Sequence, residues 1–79
     1  MDVLKISTPY ITLGQLLKES GAIDTGGMAK WYLSEYEVIV NGEPEDRRGK
    51  KLRAGDVIQL HDGTSIEVAW SEEKEDEGQ

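Results

Sequence analysis

The sequence predicts an α+β fold in which two short helices pack on a small, mostly antiparallel sheet, in the order β-α-α-β-β-β. Apolar residues recur at helical spacing in two segments between residues 13 and 33. Between residues 66 and 70 they recur instead at a period of two, which is typical of a strand. Another β-prone run ends at Asn41-Gly42, a dipeptide suited to a tight turn. A chain of 79 residues has room for one domain with one modest core.

The first strand and the first helix each have a clear signal. Residues 3–6 (VLKI) have the composition of a strand. Thr12 and Gln15 have the spacing of a capping box, in which each side chain accepts a hydrogen bond from the backbone N–H of the other residue. Gly21 is suited to the left-handed conformation that often ends a helix. We therefore expect the first helix to span residues 13–20.

A second helix is expected over residues 27–35. Asp24 or Thr25 lies just before it, and both are preferred types of N-terminal capping residue. The apolar residues of this helix are spaced so that they form one stripe, which can face the first helix. They are Met28, Ala29, Tyr32 and Leu33.

Three further strands are expected over residues 37–40, 57–60 and 66–70. The last two are joined by a turn at residues 61–63 (HDG), which makes them a hairpin. Two helices alone cannot bury a shared apolar stripe, so the strands over residues 38–60 are expected to cover it. The folded domain is expected to occupy residues 1–71.

The charge distribution singles out one segment, residues 47–53, which we call the basic loop. The chain carries a net charge of −7, yet five cations fall within these seven residues. Such a cluster predicts a site for a polyanionic ligand, and the alternative is a solvated loop balanced by the acids just before it. The five cations are Arg47, Arg48, Lys50, Lys51 and Arg53.

The acidic charge is concentrated at the other end of the sequence. Residues 72–79 (EEKEDEGQ) hold five acids and one lysine, so they contribute −4 of the net −7 and residues 1–71 carry −3. We expect this segment to be a disordered, solubilising tail. The alternative is that it folds back and competes with the polyanionic ligand for the basic loop.

Composition excludes several classes of function. Because the sequence has no Cys, disulfides, thiolate metal sites and thiol catalysis are excluded. His61 has no second His or Cys with which to bind a metal, and we expect it to be a plain surface residue. Neither a nucleophile–base set nor a nucleotide-binding glycine motif occurs, so no enzyme activity and no cofactor are expected. The apolar runs are short and broken by charge, which predicts a cytoplasmic protein that makes no contact with membranes.

The order of these motifs resembles a known RNA-binding family. A helix–turn–helix is followed by V-x-V-N-G at residues 38–42, by the basic loop, and by L-x-x-G-D-x-I at residues 52–58. This arrangement resembles the S4 domain, or αL motif, over about residues 11–60. The strand at residues 66–70 fits an extension found in small single-domain members. The chain looks most like the stand-alone bacterial proteins of the YaaA and YbcJ type.

The resemblance implies binding of structured or ribosomal RNA, with a ribosomal particle as one possible partner. In this family the RNA lies on the face that joins the start of the second helix to the basic loop. Thr25 matches the family's small hydroxyl residue, whereas Gly26 stands where an Arg is common and removes one phosphate contact. The site implied in this sequence consists of Thr25, Gly26, Gly27, Lys30, Trp31, Asn41, Arg47, Arg48, Lys50, Lys51 and Arg53.

Trp31 and the overall function each have alternatives. An exposed Trp31 beside Lys30 is suited to stack on an unpaired base, but it is equally suited to pack under the N-terminal strand or to mediate self-association. V-N-G followed by L-x-x-G-D-x-I also recurs in β-grasp, ubiquitin-like sulfur carriers, although here both helices precede the hairpin. A third possibility is a protein-interaction adaptor whose basic loop docks on an acidic partner. We expect a monomer.

Overall fold

The computed structural model describes residues 1–71, and the predicted acidic tail, residues 72–79, lies outside the described residues. The predicted order of strand, two helices and three strands is confirmed, with three two-residue strands in addition. The elements are β1 (Asp2–Ile6), β2 (Ile11–Thr12), α1 (Leu13–Glu19), a 3₁₀ helix (Gly26–Met28), α2 (Ala29–Glu35), β3 (Ile39–Val40), β4 (Glu43–Pro44), β5 (Lys51–Leu52), β6 (Val57–Gln59) and β7 (Ser65–Trp70).

Most of the strands form one five-stranded sheet in the order β1-β7-β6-β3-β4. β1 and β7 are parallel, with registers from Asp2↔Ile66 to Ile6↔Trp70, and the other neighbours in this sheet are antiparallel. Parallel strands need a long crossover connection, and the helices and the rest of the sheet provide it. β2 and β5 form a separate antiparallel pair. The predicted α+β class with a mostly antiparallel sheet is therefore confirmed.

The local signals at both ends of α1 are confirmed. Thr12 Oγ1 accepts a hydrogen bond from the Gln15 backbone N–H (3.2 Å), and Gln15 Oε1 accepts one from the Thr12 N–H (2.9 Å). At the other end Gly21 has a φ of 86°. The N–H groups of Gly21 and Ala22 donate to the carbonyls of Lys18 and Leu17 (3.1 and 3.0 Å), which is a Schellman motif.

The second helix begins differently from the prediction. Residues Gly26–Met28 form a 3₁₀ helix, and the α-helix starts only at Ala29. Thr25 occupies the cap position, but its side chain makes no capping hydrogen bond, so the predicted side-chain cap at Thr25 is wrong. Adjacent glycines lose much backbone entropy in a helix, which favours a short 3₁₀ turn over a full α-helical turn at this point.

Both predicted apolar stripes face a single core. The buried residues of α1 and α2 pack with those of the sheet, and the strands over residues 38–60 cover the helix pair as predicted. Each fully buried Leu, Ile or Val contributes roughly 1.5–3 kcal/mol of transfer free energy. The core consists of Ile6, Ile11, Leu13, Leu16, Leu17, Ile23, Ala29, Tyr32, Leu33, Val38, Val40, Leu52, Ile58, Leu60, Ile66 and Val68.

The turn after β3 explains one of the additional strands. Asn41 and Gly42 both have positive φ, 52° and 86°, as a type I′ hairpin turn requires. β3 therefore reverses at once into β4, while its other edge pairs with β6 through Val40↔Ile58. Pro44 is tolerated in β4 because this strand is an edge of the sheet. Strands of two residues are too short for a period-two pattern to reveal them in the sequence.

Candidate nucleic-acid interface

The backbone of the basic loop is anchored on the first turn of α1. The N–H groups of Leu13 and Gly14 donate to the carbonyls of Lys50 and Arg48, each at 2.8 Å. The first N–H groups of a helix have no acceptor within the helix, and here the loop supplies it. The loop also closes on itself, since the N–H of Lys50 donates to the carbonyl of Arg47 (3.1 Å). These bonds hold the backbone of the loop against the domain.

Gly14 is the point at which α1, α2 and the basic loop meet. A Cβ on Gly14 would lie 3.4 Å from the Cβ of Ala29 and 3.4 Å from the carbonyl oxygen of Arg48. The residue is buried, so its missing side chain allows this close approach. Arg48 is thereby held on the side of α1 that faces the start of α2. We did not identify Gly14 from the sequence, although an isolated glycine inside a helical pattern is a signal for such a contact.

A second anchor holds the end of the basic loop. Asp56 Oδ2 accepts from the backbone N–H of Arg53 (2.8 Å), and its Oδ1 accepts from Asn41 Nδ2 (3.0 Å). Asn41 Oδ1 in turn accepts from the N–H of Val57 (2.9 Å). The amide of Asn41 thus connects the hairpin turn to the segment that follows the loop. A direct contact between Asn41 and RNA stays a prediction.

One cation of the basic loop is balanced by a carboxylate. Arg47 Nε lies 2.8 Å from Glu45 Oε2, and its Nη2 donates to Glu45 Oε1 at 3.2 Å. The side-chain hydrogen bond from Arg47 is the main reason that the pKa of Glu45 is lowered from 4.5 to about 2. The Arg47 side chain is 71% exposed, whereas that of Glu45 is 12% exposed. The guanidinium therefore covers its acid partner from the solvent side.

The other four cations form no ion pair within residues 1–71. Arg48, Lys51 and Arg53 are exposed, and Lys50 is half-buried. Lys51 Nζ lies 5.0 Å, and Arg53 Cζ 6.0 Å, from the centre of the Tyr10 ring. Tyr10 was not among the predicted site residues, because nothing in its local sequence places it beside the loop.

The predicted site residues at the start of α2 are all exposed: Thr25, Gly26, Gly27, Lys30 and Trp31. A Cβ on Gly26 would meet nothing within 4 Å, and one on Gly27 would find only the Thr25 hydroxyl at 3.8 Å. The two glycines therefore face open space and do not serve close packing of the helices. Through Gly14, this end of α2 and the basic loop lie on neighbouring parts of the surface.

Trp31 belongs to an aromatic cluster on α2. Its indole is 50% exposed and lies edge-on to the rings of Tyr32 (6.5 Å) and Tyr36 (5.9 Å). Tyr36 stacks on His61 with ring centres 4.0 Å apart and planes at 11°. His61 is exposed, but this stacking shows that the prediction of a plain surface residue was incomplete. Burial, reinforced by Asp62, raises the pKa of Tyr32.

Comparison with known proteins identifies the family. A family model described as S4 domain matches residues 4–69. This chain belongs to the S4 domain family. The match includes both helices and the basic loop, which confirms the resemblance drawn from the sequence motifs.

A curated relative of this S4 domain is similar over nearly its whole length. The chain is 54% identical over 65 residues to the probable ribosome maturation protein RlbA of Bacillus subtilis (strain 168). The aligned residues are 82% of this chain and 92% of that relative, so the similarity spans most of both proteins.

The part of the chain that the structure describes has neither a metal-binding cluster nor a membrane-spanning helix. Over residues 1–71, no group of three or more His, Asp or Glu side chains is arranged to hold a metal ion. No helix in the same part of the chain is long and apolar enough to cross a membrane. The sequence and the structure thus indicate the same candidate site, which is the basic loop and the residues beside it.

Proposed function

We propose that this S4 domain binds structured RNA, with ribosomal RNA as the leading candidate, through the basic loop and the adjacent start of α2. Family membership supports RNA binding, and the name of the Bacillus subtilis relative supports a role connected with ribosome maturation. The observation that carries the proposal is the group of four cations without an ion pair in residues 1–71, on a loop whose backbone is anchored at both ends.

Local charge explains how an acidic protein can bind a polyanion. Charges act over about 8–10 Å at physiological salt, so an RNA at the loop responds mainly to the cations there. Arg48 and Arg53 offer planar guanidinium groups that can bind phosphate through two hydrogen bonds, whereas Lys51 acts as a point charge. Such contacts recognise the RNA backbone and its shape more than its base sequence.

The remaining predicted residues have supporting roles in the proposal. Arg47 adds a phosphate contact if Glu45 releases it, and Lys50 strengthens the local field. Six of the predicted residues form the border of the interface: Thr25, Gly26, Gly27, Lys30, Trp31 and Asn41.

The proposed role is binding, without catalysis or a cofactor. In a ribosome-related role the protein acts in the cytoplasm, as a monomer, on ribosomal RNA or a ribosomal particle. The S4 family match favours this role over a β-grasp carrier. A protein-interaction adaptor is the alternative that the experiment must separate.

The test is the salt dependence of RNA affinity, measured by fluorescence anisotropy on a labelled structured RNA. The double variant Arg48→Gln/Lys51→Gln removes two unpaired cations from the loop. The matched control Gln59→Glu/Gln79→Glu adds two negative charges outside the loop, and both variants change the net charge from −7 to −9. Because each neutralised phosphate contributes about 0.7–0.9 to the slope of log K against log salt, the loop variant should flatten that slope by about 1.4–1.8.

The outcomes separate the proposal from its alternatives. We expect the control variant to keep the slope of the wild type, because its substitutions lie outside the loop. If the loop variant and the control change affinity and slope equally, the cations act only through net charge and the proposed site is wrong. If the wild type shows no salt-dependent RNA binding, while an acidic protein partner is captured by the loop, the protein is an adaptor.

A further inference from the structure

We propose that Tyr10 is a stacking platform for an unpaired RNA base, with Lys51 and Arg53 binding the phosphates next to that base. This inference rests on the proposed RNA-binding function and extends it, because it adds recognition of unpaired nucleotides to recognition of the RNA backbone. Tyr10 lies outside the set of residues that the sequence motifs indicate.

The pairing of β2 with β5 explains why Tyr10 faces the cations. Ile11 pairs with Leu52 and Thr12 pairs with Lys51, in antiparallel register. Side chains alternate between the two faces of a strand, and Ile11 and Leu52 point into the core. The residues on either side of them, Tyr10 among them, therefore project from the solvent face of this strand pair.

The ring and the cations have a geometry suited to one nucleotide. Lys51 Nζ and Arg53 Cζ lie 5.0 and 6.0 Å from the centre of the Tyr10 ring. The Tyr10 residue is 39% exposed. A base stacked on an exposed part of the ring would place its own phosphates within reach of both side chains. Cations beside an aromatic ring are the combination by which proteins bind single-stranded nucleic acid.

The backbone around Tyr10 is held in place before any ligand binds. The Thr8 hydroxyl donates to the Tyr10 carbonyl (2.9 Å), and Pro9 between them restricts the backbone further. The β2–β5 pairing fixes the other side of Tyr10. A ring on a rigid segment loses little conformational entropy on stacking, which favours a binding role.

An open groove adjoins the ring and has room for a nucleotide. Its volume is about 790 Å³, within the usual range for small-molecule sites. Beside Tyr10 the groove is lined by Thr12 and Gln15 at the start of α1 and by Lys18 further along that helix. Two cations, Lys5 and Lys18, and one acid, Glu19, also line the groove. The groove therefore has an aromatic surface, hydrogen-bonding groups and positive charge, the three features that an unpaired nucleotide needs.

The test compares a single-stranded RNA of about ten nucleotides with its abasic counterpart, which keeps the phosphates and lacks the bases. The full chain is titrated with each RNA as the wild type, as Tyr10→Leu, and as Tyr10→Phe. Leu is apolar without an aromatic face, whereas Phe keeps the ring. Circular dichroism of each variant confirms that the fold is retained, which is expected because Tyr10 lies outside the core.

We expect Tyr10→Leu to weaken binding of the base-containing RNA by about 5- to 100-fold and to leave binding of the abasic RNA unchanged. Tyr10→Phe should retain the wild-type preference for the base-containing RNA. If Tyr10→Leu binds both RNAs as the wild type does, or weakens both equally, the stacking role is overturned while the proposed function stands. If the wild type binds neither single-stranded RNA, the stacking role is also overturned, while the proposed function is judged separately by the affinity for the structured RNA.

Discussion

Replacement of Asn41 tests whether the anchor at the end of the basic loop is built as the structure indicates. Asn41 has a left-handed backbone, with a φ of 52°, and its amide bonds both Asp56 and Val57. Asn41→Gly removes the amide but keeps the backbone conformation at no steric cost. Asn41→Ala removes the amide and also places a Cβ where the left-handed conformation disfavours it.

The expected losses of stability follow from the hydrogen bonds of Asn41 and from its backbone conformation. Two hydrogen bonds that are accessible to solvent contribute about 0.5–1 kcal/mol each, so Asn41→Gly should lower the free energy of unfolding by about 1–2 kcal/mol. The left-handed conformation costs Ala about 1–2 kcal/mol, of which the smaller entropy of its unfolded chain offsets about 0.4–1 kcal/mol. Asn41→Ala should therefore be about 0.5–1 kcal/mol less stable than Asn41→Gly.

Urea unfolding followed by circular dichroism measures the free energy of unfolding of the wild type and of both variants. Equal m-values for the wild type and both variants would show that the comparison concerns the folded state. If Asn41→Gly costs less than about 0.5 kcal/mol, the amide does not hold the loop. If Ala and Gly are equally stable at this position, the turn does not require a left-handed residue. Either result would refute the reasoning.

Two further predictions concern contacts of the basic loop. Because Arg47 holds the pKa of Glu45 at about 2 in the folded protein, against an ordinary value of 4.5, their pairing contributes fully above pH 4.5 and is lost as the pH falls toward 2. Glu45→Gln should therefore lose less stability than the wild type over this interval, and identical pH profiles from urea unfolding would contradict the pairing. At Gly14, Ala should be nearly neutral because helix propensity offsets its contacts at 3.4 Å with Ala29 and Arg48. Gly14→Val should cost about 1–3 kcal/mol by overpacking, and a Val variant as stable as Ala would show that the loop is not held there.

Several features of the fold could be predicted because their signals are local. The capping box of Thr12 and Gln15 and the glycine at Gly21 predicted both ends of α1 to within a residue. The Asn41-Gly42 dipeptide predicted its turn because few other residue pairs accept positive φ twice in succession. At the start of α2 the same kind of local signal failed for the Thr25 cap, since the glycines that follow favour a 3₁₀ turn.

The candidate site likewise has features that the sequence reveals and features that only the structure reveals. Five clustered cations are visible in the sequence, but whether each is free depends on side-chain geometry, as the pairing of Arg47 with Glu45 shows. The contribution of Tyr10 became apparent only from the structure, because the β2–β5 pairing brings it beside Lys51 and Arg53 from about forty residues away along the chain.

The sequence by itself determined the class of fold, the ends of α1, the apolar stripe of α2 and the location of the positive charge. Each of these depends on residue type and on spacing over a few positions. Only the tertiary structure decided that β1 lies parallel to β7, that α1, α2 and the basic loop converge at Gly14, and that Tyr10 faces two cations. The physical reason is that these contacts join segments far apart in the chain, and their free energy depends on the packing of the whole core, which no local pattern encodes.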